Sequence, residues 1–265
     1  MSACSVIAPQ GIPVTNSDVA LGSICVLIPA LNELVNLEPT VKAVQQALSE
    51  VGGAFEIIIV DDGSSDGTGA VADKLAEQFA AVRVFHNPTR RGIGYAYMVG
   101  YENTTCEYLV YIPGDNTWPS ASCRELFSAL GRADIITSYA LNPEVRPLGR
   151  RLLSPLYTSF LNLLFGRRMR YYNGLTIYPT SFLRTRPATT FGFAFQAEVL
   201  LKALAAGLTY VEVGLPIDER AAGASKAISL RNIAAVVITI TRLRYALWRN
   251  PNGESHRIVV RPHSR

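Results

Sequence analysis

At 265 residues, 49% hydrophobic and 17% charged, the chain is long and apolar enough for one α/β domain with a substantial core, which excludes a disordered or strongly charged protein. The four cysteines (Cys4, Cys25, Cys106, Cys123) have no CxxC spacing and the three histidines form no ligand set, which argues for reduced thiols of a cytoplasmic protein against a disulfide or zinc framework. The net charge of +4 hides an asymmetry: residues 1–144 hold 7 Lys/Arg against 16 Asp/Glu, and residues 145–265 hold 18 against 5.

Residues 1–22 lack a basic start followed by an apolar stretch, so they read as an extension and not as a signal peptide. Residues 24–28 (Ile-Cys-Val-Leu-Ile) predict a buried strand that runs into Pro29-Ala-Leu-Asn-Glu33. A helix is expected over 34–51, where Leu34, Leu37, Val41, Val44 and Leu48 recur at helical spacing. A second strand, Glu56-Ile-Ile-Ile-Val60, leads straight into Asp61-Asp62-Gly63-Ser64. Its continuous apolar run indicates burial on both faces. The alternative for the acidic turn is a solvated Asp-Gly turn with Asp66 capping the next helix.

Strand, turn, helix, strand and acidic turn make a βαβ unit whose loops share one sheet edge, so Asn32, Glu33, Asp61 and Asp62 should converge on one crevice. In open parallel sheets that edge is where ligands bind. Downstream, Gly92-Ile-Gly94 is followed by Tyr-Ala-Tyr and the first βα turn has no glycine, which disfavours a dinucleotide-dependent oxidoreductase. No GxxxxGK[ST] is present, so a P-loop NTPase is excluded. The sequon at Asn103-Thr-Thr105 is read as chance. Another strand enters a polar turn in Tyr108-Leu-Val-Tyr-Ile-Pro-Gly-Asp-Asn-Thr-Trp-Pro119.

The back half carries two apolar segments, residues 152–165 between Arg150-Arg151 and Arg167-Arg168, and residues 228–248 with Arg231, Arg242 and Arg244. Both are too short between charges to span a bilayer, which takes ~20 apolar residues. Arginine flanks with Tyr245 and Trp248 near one end suit helices lying in a membrane interface. Packing on the core or on a second subunit, as in a homo-oligomer, is the rival. Eight arginines and no acid fall between residues 145 and 197, so this half is expected to face phosphates or an anionic surface. No basic run interleaved with aromatics suggests a nucleic-acid partner.

Read together, "IPALNE" and "VDDGSSDGT" resemble the opening signatures of the family 2 inverting glycosyltransferases. The likeness continues through Arg90-Arg-Gly-Ile-Gly94, Tyr172-Asn-Gly-Leu-Thr-Ile-Tyr178, Phe193-Ala-Phe-Gln-Ala-Glu198 and Arg220-Ala-Ala-Gly-Ala-Ser-Lys226, in order over about residues 23–230. The last three are similar to the dolichyl-phosphate mannose synthase branch. The resemblance implies a single nucleotide-sugar-binding, Rossmann-like α/β domain of GT-A type with a mixed, mostly parallel sheet. Its boundaries are expected as a 1–22 extension, a 23–226 catalytic domain and, over 227–265, an amphipathic interfacial helix with a basic tail.

The activity implied is metal-assisted, inverting transfer from a nucleoside-diphosphate sugar to a polyprenyl phosphate, peripheral on the cytoplasmic face of a membrane. The alternatives are a sugar hydroxyl acceptor in cell-surface polysaccharide or glycolipid synthesis, or a non-catalytic nucleotide-binding scaffold. Pro29, Ala30, Asn32, Glu33, Asp61, Asp62, Arg91 and Gly92 would line the nucleotide site. Pro113 stands where the family's Asp-x-Asp-type motif begins, leaving Asp115 to hold Mg2+ or Mn2+ with substrate oxygens. Arg220 and Lys226 would clamp phosphates, with Gly223 letting their loop close. Asn173, Gln196 and Ser225 would contact the sugar or acceptor. A polyprenyl phosphate needs no general base, whereas a hydroxyl acceptor would need one, with Glu198 (on a helix expected over 195–206) and Asp218 as candidates.

Overall fold

The apolar runs at residues 24–30 and 55–61 become adjacent parallel strands, β1 (Ile24–Ala30) and β2 (Phe55–Asp61), with Ala30 opposite Asp61. The computed structural model describes residues 22–190, 192, 194–219 and 230–249. In chain order β1 is followed by α1 (Leu37–Val51), β2, α2 (Thr68–Gln78), β3 (Val82–His86), α3 (Ile93–Asn103) and β4 (Tyr108–Tyr111). Then come α4 (Ser120–Phe127), β5 (Ile135–Ala140), α5 (Leu148–Phe165), β6 (Thr176–Pro179), α6 (Thr180–Thr185), α7 (Phe195–Ala205), β7 (Tyr210–Leu215) and α8 (Leu230–Arg249).

Seven strands form one sheet in the order β3-β2-β1-β4-β6-β5-β7. Only β6 runs against its neighbours, β4 and β5. This is the mixed, mostly parallel sheet expected from the sequence. Alternation along each strand sends side chains to opposite faces. Val26, Ile28, Ile57 and Ile59 pack under α1, α2 and α4, whereas Cys25, Leu27, Ile58 and Val60 face the side of α3 and α7. All eight are completely buried, and each such side chain contributes about 1.5–3 kcal/mol. Burial also pushes the Cys25 thiol far up and the Cys123 thiol up to about 12, so both are inert free thiols.

Two expectations are corrected here. The first helix begins at Leu37, not residue 34, because residues 32–36 form a turn in which the Glu33 carbonyl accepts from the Asn36 and Leu37 amides. Leu34 and Val35 are consequently exposed. The N-cap position of α2 is Gly67, one residue after Asp66, but the Asp66 carboxylate takes up the first helical amide. It accepts from the Thr68 amide and hydroxyl and from the Leu34 amide, tying the turns after β1 and β2 together.

The segment read as 152–165 is the C-terminal part of a longer helix, α5, ended by Gly166 in the left-handed region at φ 63°. The C-terminal helix α8 docks on the core: Ile240 and Leu243 are buried in the cluster that holds α7, and the Arg244 guanidinium donates to the Leu164 carbonyl of α5. Its Ile238 and Tyr245 are exposed, while the side chains of Arg231 and Trp248 lie outside the described residues. No helix among the described residues is long and apolar enough to cross a membrane.

Candidate active site

Because every strand but β6 shares one direction, the carboxyl ends of β1, β2, β3, β4, β5 and β7 and the start of β6 meet at one sheet edge. The first wall of the crevice joins the turns after β1 and β2. The Asn32 amide donates to Ser64 Oγ, Asn32 Oδ1 accepts from the Ser65 amide (both 3.0 Å), and the Glu33 amide donates to Thr68 Oγ1 at 2.8 Å. Glu33 is buried, its Oε2 accepting from Asn36 Nδ2 at 2.7 Å. Asn32, Glu33, Asp61 and Asp62 are thus brought together with Pro29 and Ala30 at the end of β1.

The two aspartates differ in their partners. Asp61 Oδ1 accepts from the Ser64 amide at 3.0 Å, and Oδ2 lies 3.2 Å from His86 Nδ1. Asp62 accepts from the amides of Arg91 and Gly92, both at 2.8 Å, and from Asn87 Nδ2 at 2.9 Å. It therefore clasps the glycine turn that opens α3. Gly92, at φ 94°, adopts a conformation that L side chains rarely take. The Arg91 guanidinium stacks on Tyr95, 3.7 Å from the ring centroid. His86 and Asn87 were missed in the sequence, although β3 also ends at this edge and the same strand-end argument would have found them.

On the other side of β1, pairing continues past β4: the Ile112 amide donates to the Leu27 carbonyl and Gly114 to Pro29. Asp115 is thereby delivered beside the wall formed by the turns after β1 and β2. Its Oδ1 accepts from the Thr117 hydroxyl at 2.8 Å and amide at 3.3 Å, and no hydrogen bond reaches Oδ2 from the described residues. The Thr117 carbonyl accepts from the Asp218 amide, so the turn after β7 is pinned against the same loop. Asn32 and Asn116 are the only non-glycine residues described at positive φ, both at 56°. Each follows a strand at this edge, the usual location of stored backbone strain.

Asn173 and Gln196 meet around Gly174, whose carbonyl accepts from Gln196 Nε2 at 3.3 Å. The Asn173-Gly174 pair is a close approach and not a turn in the left-handed region. A Cβ on Gly174 would sit 1.8 Å from the Ser138 carbonyl oxygen, so only glycine fits. Asn173 Oδ1 is buried without a hydrogen-bond partner among the described residues. A small cavity borders Gly174 and Gln196, with Tyr97 and Tyr111 on its wall.

Glu198 is not the surface carboxylate that its helix position allows. It is 1% exposed, accepts from the amides of Thr189 and Thr190 and from the Thr189 hydroxyl, and pairs with Lys202 at 2.6 Å. Arg220, Gly223, Ser225 and Lys226 lie outside the described residues.

A second group missed in the sequence is Arg146, Arg150 and Tyr171. The Arg146 guanidinium lies over the Tyr171 ring at 5.1 Å. The Tyr171 side chain is buried, with the charges of Arg146 and Arg150 acting on it. Burial raises that phenol, but the two guanidiniums outweigh it and hold it below its ordinary range. Burial pushes Arg146 down. Tyr111 is driven far up by burial, with Asp115 and Glu33 acting in the same direction and Arg150 in the opposite one.

The family model described as "Glycosyl transferase family 2" matches residues 25–190. An undecaprenyl-phosphate mannosyltransferase from Micrococcus luteus is 26% identical over 227 residues, 82% of this chain and 91% of that protein. A polyprenol monophosphomannose synthase from Mycolicibacterium smegmatis is 31% identical over 214 residues, 76% of this chain and 79% of the relative. Among solved structures, glucosyl-3-phosphoglycerate synthase from Mycobacterium tuberculosis with phosphoglyceric acid superposes with a TM-score of 0.65 at 20% identity, covering 88% of this chain and 82% of that one. A second structure of it, in complex with Mn2+, uridine diphosphate and glucosyl-3-phosphoglycerate, gives 0.60 at 21% identity, with 89% and 82% covered.

Proposed function

The chain belongs to glycosyl transferase family 2 and is a nucleotide-sugar-dependent glycosyltransferase, and we propose that it transfers a hexosyl group to the phosphate of a polyprenyl phosphate with inversion. The observation that carries this acceptor is the Arg146 guanidinium over the buried Tyr171 ring, in a stretch from 145 to 197 that holds eight arginines and no acid. Two relatives named for undecaprenyl-phosphate and polyprenol acceptors support it. An anionic phosphate would balance the guanidinium charges gathered there.

In the reaction, an acceptor phosphate oxygen forms a bond to the anomeric carbon from the face opposite the nucleoside diphosphate. The bond from that carbon to the diphosphate oxygen breaks, and the pair of electrons leaves on the diphosphate. No proton has to be removed from an ionised phosphate, so no base is required. Glu198, whose oxygens are engaged with Thr189, Thr190 and Lys202, is read as a positioning residue for the turn before α7. Asn32, Glu33 and Asp61 form the nucleoside wall, and Asp62 holds the Arg91-Gly92 turn for the diphosphate. Asn173, with its unpartnered oxygen, and Gln196 face sugar hydroxyls; Arg220, Ser225 and Lys226 are proposed to complete the phosphate clamp.

A divalent cation, Mg2+ or Mn2+, fits the residues present. Asp115 offers one oxygen with no hydrogen bond from the described residues, and among those residues no group of three or more His, Cys, Asp or Glu is placed to hold a metal ion by itself, so diphosphate oxygens would complete the shell. When bound, the ion offsets the charge that grows on the leaving diphosphate.

The protein is further proposed to act as a peripheral membrane protein on the cytoplasmic face. Leu148, Leu152, Leu156 and Leu163 of α5 are 67–86% exposed along one stripe, next to Arg151, Arg167 and Arg168. An apolar stripe with basic flanks suits an anionic bilayer surface. Within the proposed boundaries of 23–226 for the catalytic domain and 227–265 for the appendage, α8 would lie beside α5 at that surface.

The test is a thermal-shift panel of UDP, GDP, CDP and dTDP, each with manganese or EDTA, followed by transfer from the matching mannosyl or glucosyl donor to a polyprenyl phosphate. A ligand at a hundredfold excess over its Kd stabilises by ~2.7 kcal/mol. A manganese-dependent shift with one diphosphate and radiolabel moving into the lipid phosphate would bear out the reading. A shift with no transfer to the lipid would sink the acceptor assignment.

A further inference from the structure

The imidazole of His86 is held at both nitrogens by carboxylates. Nδ1 lies 3.2 Å from Asp61 Oδ2, and Nε2 lies 3.0 Å from Asp73 Oδ1. Asp61 ends β2, His86 ends β3 directly opposite it in the parallel register, and Asp73 comes from α2. A neutral imidazole has one donor and one acceptor nitrogen, so only the imidazolium satisfies both carboxylates. Burial favours the neutral ring, but the bonds to Asp61 and Asp73 outweigh it and hold the pKa of His86 above its ordinary value. In the segment that follows β3, Arg91 is turned onto Tyr95, and the charges acting on the ring are those of Asp61 and Asp73.

The pair has little room to rearrange. A Cβ on Gly69 of α2 would sit 2.9 Å from Asp61 Oδ2 and 3.5 Å from the His86 ring, so the helix backbone presses on both. Asp61 itself is 6% exposed, and its other oxygen accepts from the Ser64 amide. One bond from the loop and one from the imidazole therefore set the plane of this carboxylate. The His86 side chain is 43% exposed, which leaves it free to exchange its proton with solvent.

We propose that His86 is a positioning residue for donor recognition: protonated and braced on Asp73, it orients Asp61 toward the donor nucleoside, and donor affinity falls when the ring loses its proton. Deprotonation turns one ring nitrogen into a lone pair facing a carboxylate and removes the positive charge of the ring, which weakens its hold on Asp61. The inference rests on the assignment of Asp61 to the nucleoside wall. It predicts an effect on donor Kd and KM with little change in kcat.

The experiment measures, on the full chain, the Kd of UDP and GDP with manganese by calorimetry from about pH 6 to about pH 9, across the range where a perturbed histidine titrates. Wild type is compared with H86Q, D73N and D61N. The diphosphate's own ionisation is common to all four and cancels in the comparison. Wild type should lose roughly tenfold in affinity through one inflection, about the effect of one hydrogen bond to a charged group. In H86Q the affinity should be weak at the acid end and lack that inflection. D73N, altered at an exposed residue (60%) that leaves the core intact, should keep the inflection but move it to lower pH. H86Q and D73N profiles identical to wild type, with D61N impaired, would overturn the role of His86 alone. D61N binding with wild-type affinity would overturn the assignment of Asp61, and the inference with it.

Discussion

Glu198 and Lys202, one turn apart on α7, form an ion pair at 2.6 Å with side chains only 1% and 7% exposed. The ammonium also donates to the Pro187 carbonyl at 2.7 Å, and the carboxylate accepts from Thr189 and Thr190. This small network staples the turn before α7 to the helix whose first residues, Phe195 and Gln196, border the crevice. Removing one member leaves the other charge buried without its partner, which costs about 3–5 kcal/mol. Glu198→Ala should therefore lower the denaturation midpoint sharply and Glu198→Gln less so. An E198A midpoint equal to wild type in urea would count against this arrangement.

Asp62 serves the Arg91-Gly92 turn through two amide bonds of 2.8 Å. Hydrogen bonds to a charged acceptor are worth ~1.5–3 kcal/mol each. Asp62→Ala should loosen the turn and weaken nucleoside diphosphate binding by about tenfold or more, while Asp62→Asn, which retains one acceptor oxygen, should fall between. Calorimetric titration with the diphosphate that gives a thermal shift checks the order.

In the proposed cation site, Pro113 stands where the resemblance places a second carboxylate, and its neighbour Gly114 is held to the Pro29 carbonyl at 3.2 Å. Pro113→Asp should lower the manganese concentration for half-maximal activity by roughly tenfold, since hard cations gain affinity with added carboxylate ligands. Asp115→Asn should raise it by at least as much. Activity titrated against manganese distinguishes these outcomes, and a P113D curve superposable on wild type would show that residue 113 does not face the ion.

The exposed leucines of α5 are left in water among the described residues, so covering them is favourable. Burying a leucine is worth about 1.5–3 kcal/mol. The double change Leu152→Ser with Leu156→Ser should reduce co-sedimentation with anionic vesicles more than about tenfold, and raised salt should weaken wild-type binding through screening of Arg151, Arg167 and Arg168. Vesicle binding unchanged in the double variant would argue that this stripe meets a second copy of the chain.

Asp66 gives a pH prediction. Burial alone would raise its carboxyl, but bonds from Thr68 and from the Leu34 amide outweigh this and hold it below the ordinary 3.8. A depressed carboxyl contributes stability that is present above its unfolded value and is lost as pH falls through the folded one. Melting temperature should therefore drop more steeply in wild type than in Asp66→Asn on going below about pH 4. Parallel curves would remove Asp66 from the acid response.

Much of this protein was legible in one dimension. Continuous apolar runs such as Ile57 to Val60 bury both faces of a strand, and their apolar character ends abruptly at Asp61 and Asp62, so the parallel sheet and the edge at which its polar turns gather follow from local pattern. Asn32, Glu33, Asp61, Asp62 and Asp115 could be proposed for the site because each sits just past a strand, where topology alone brings them to one edge. What pattern cannot carry is the partner each side chain chooses. Asp61 turning to His86, 25 residues on, and Asp62 turning to Gly92, 30 residues on, depend on parallel register, which is long-range; the partners of Glu198 are local, but their burial depends on the docking of α7. The same holds for Arg146 and Arg150 gathering on Tyr171: in the sequence they are part of a diffuse run of arginines, and only the packing of α5 against the segment before β6 makes them one charged site. Local spacing decides which residues reach the edge; desolvation and the competition for a few buried hydrogen-bond partners, resolved only in the tertiary structure, decide what each of them does there.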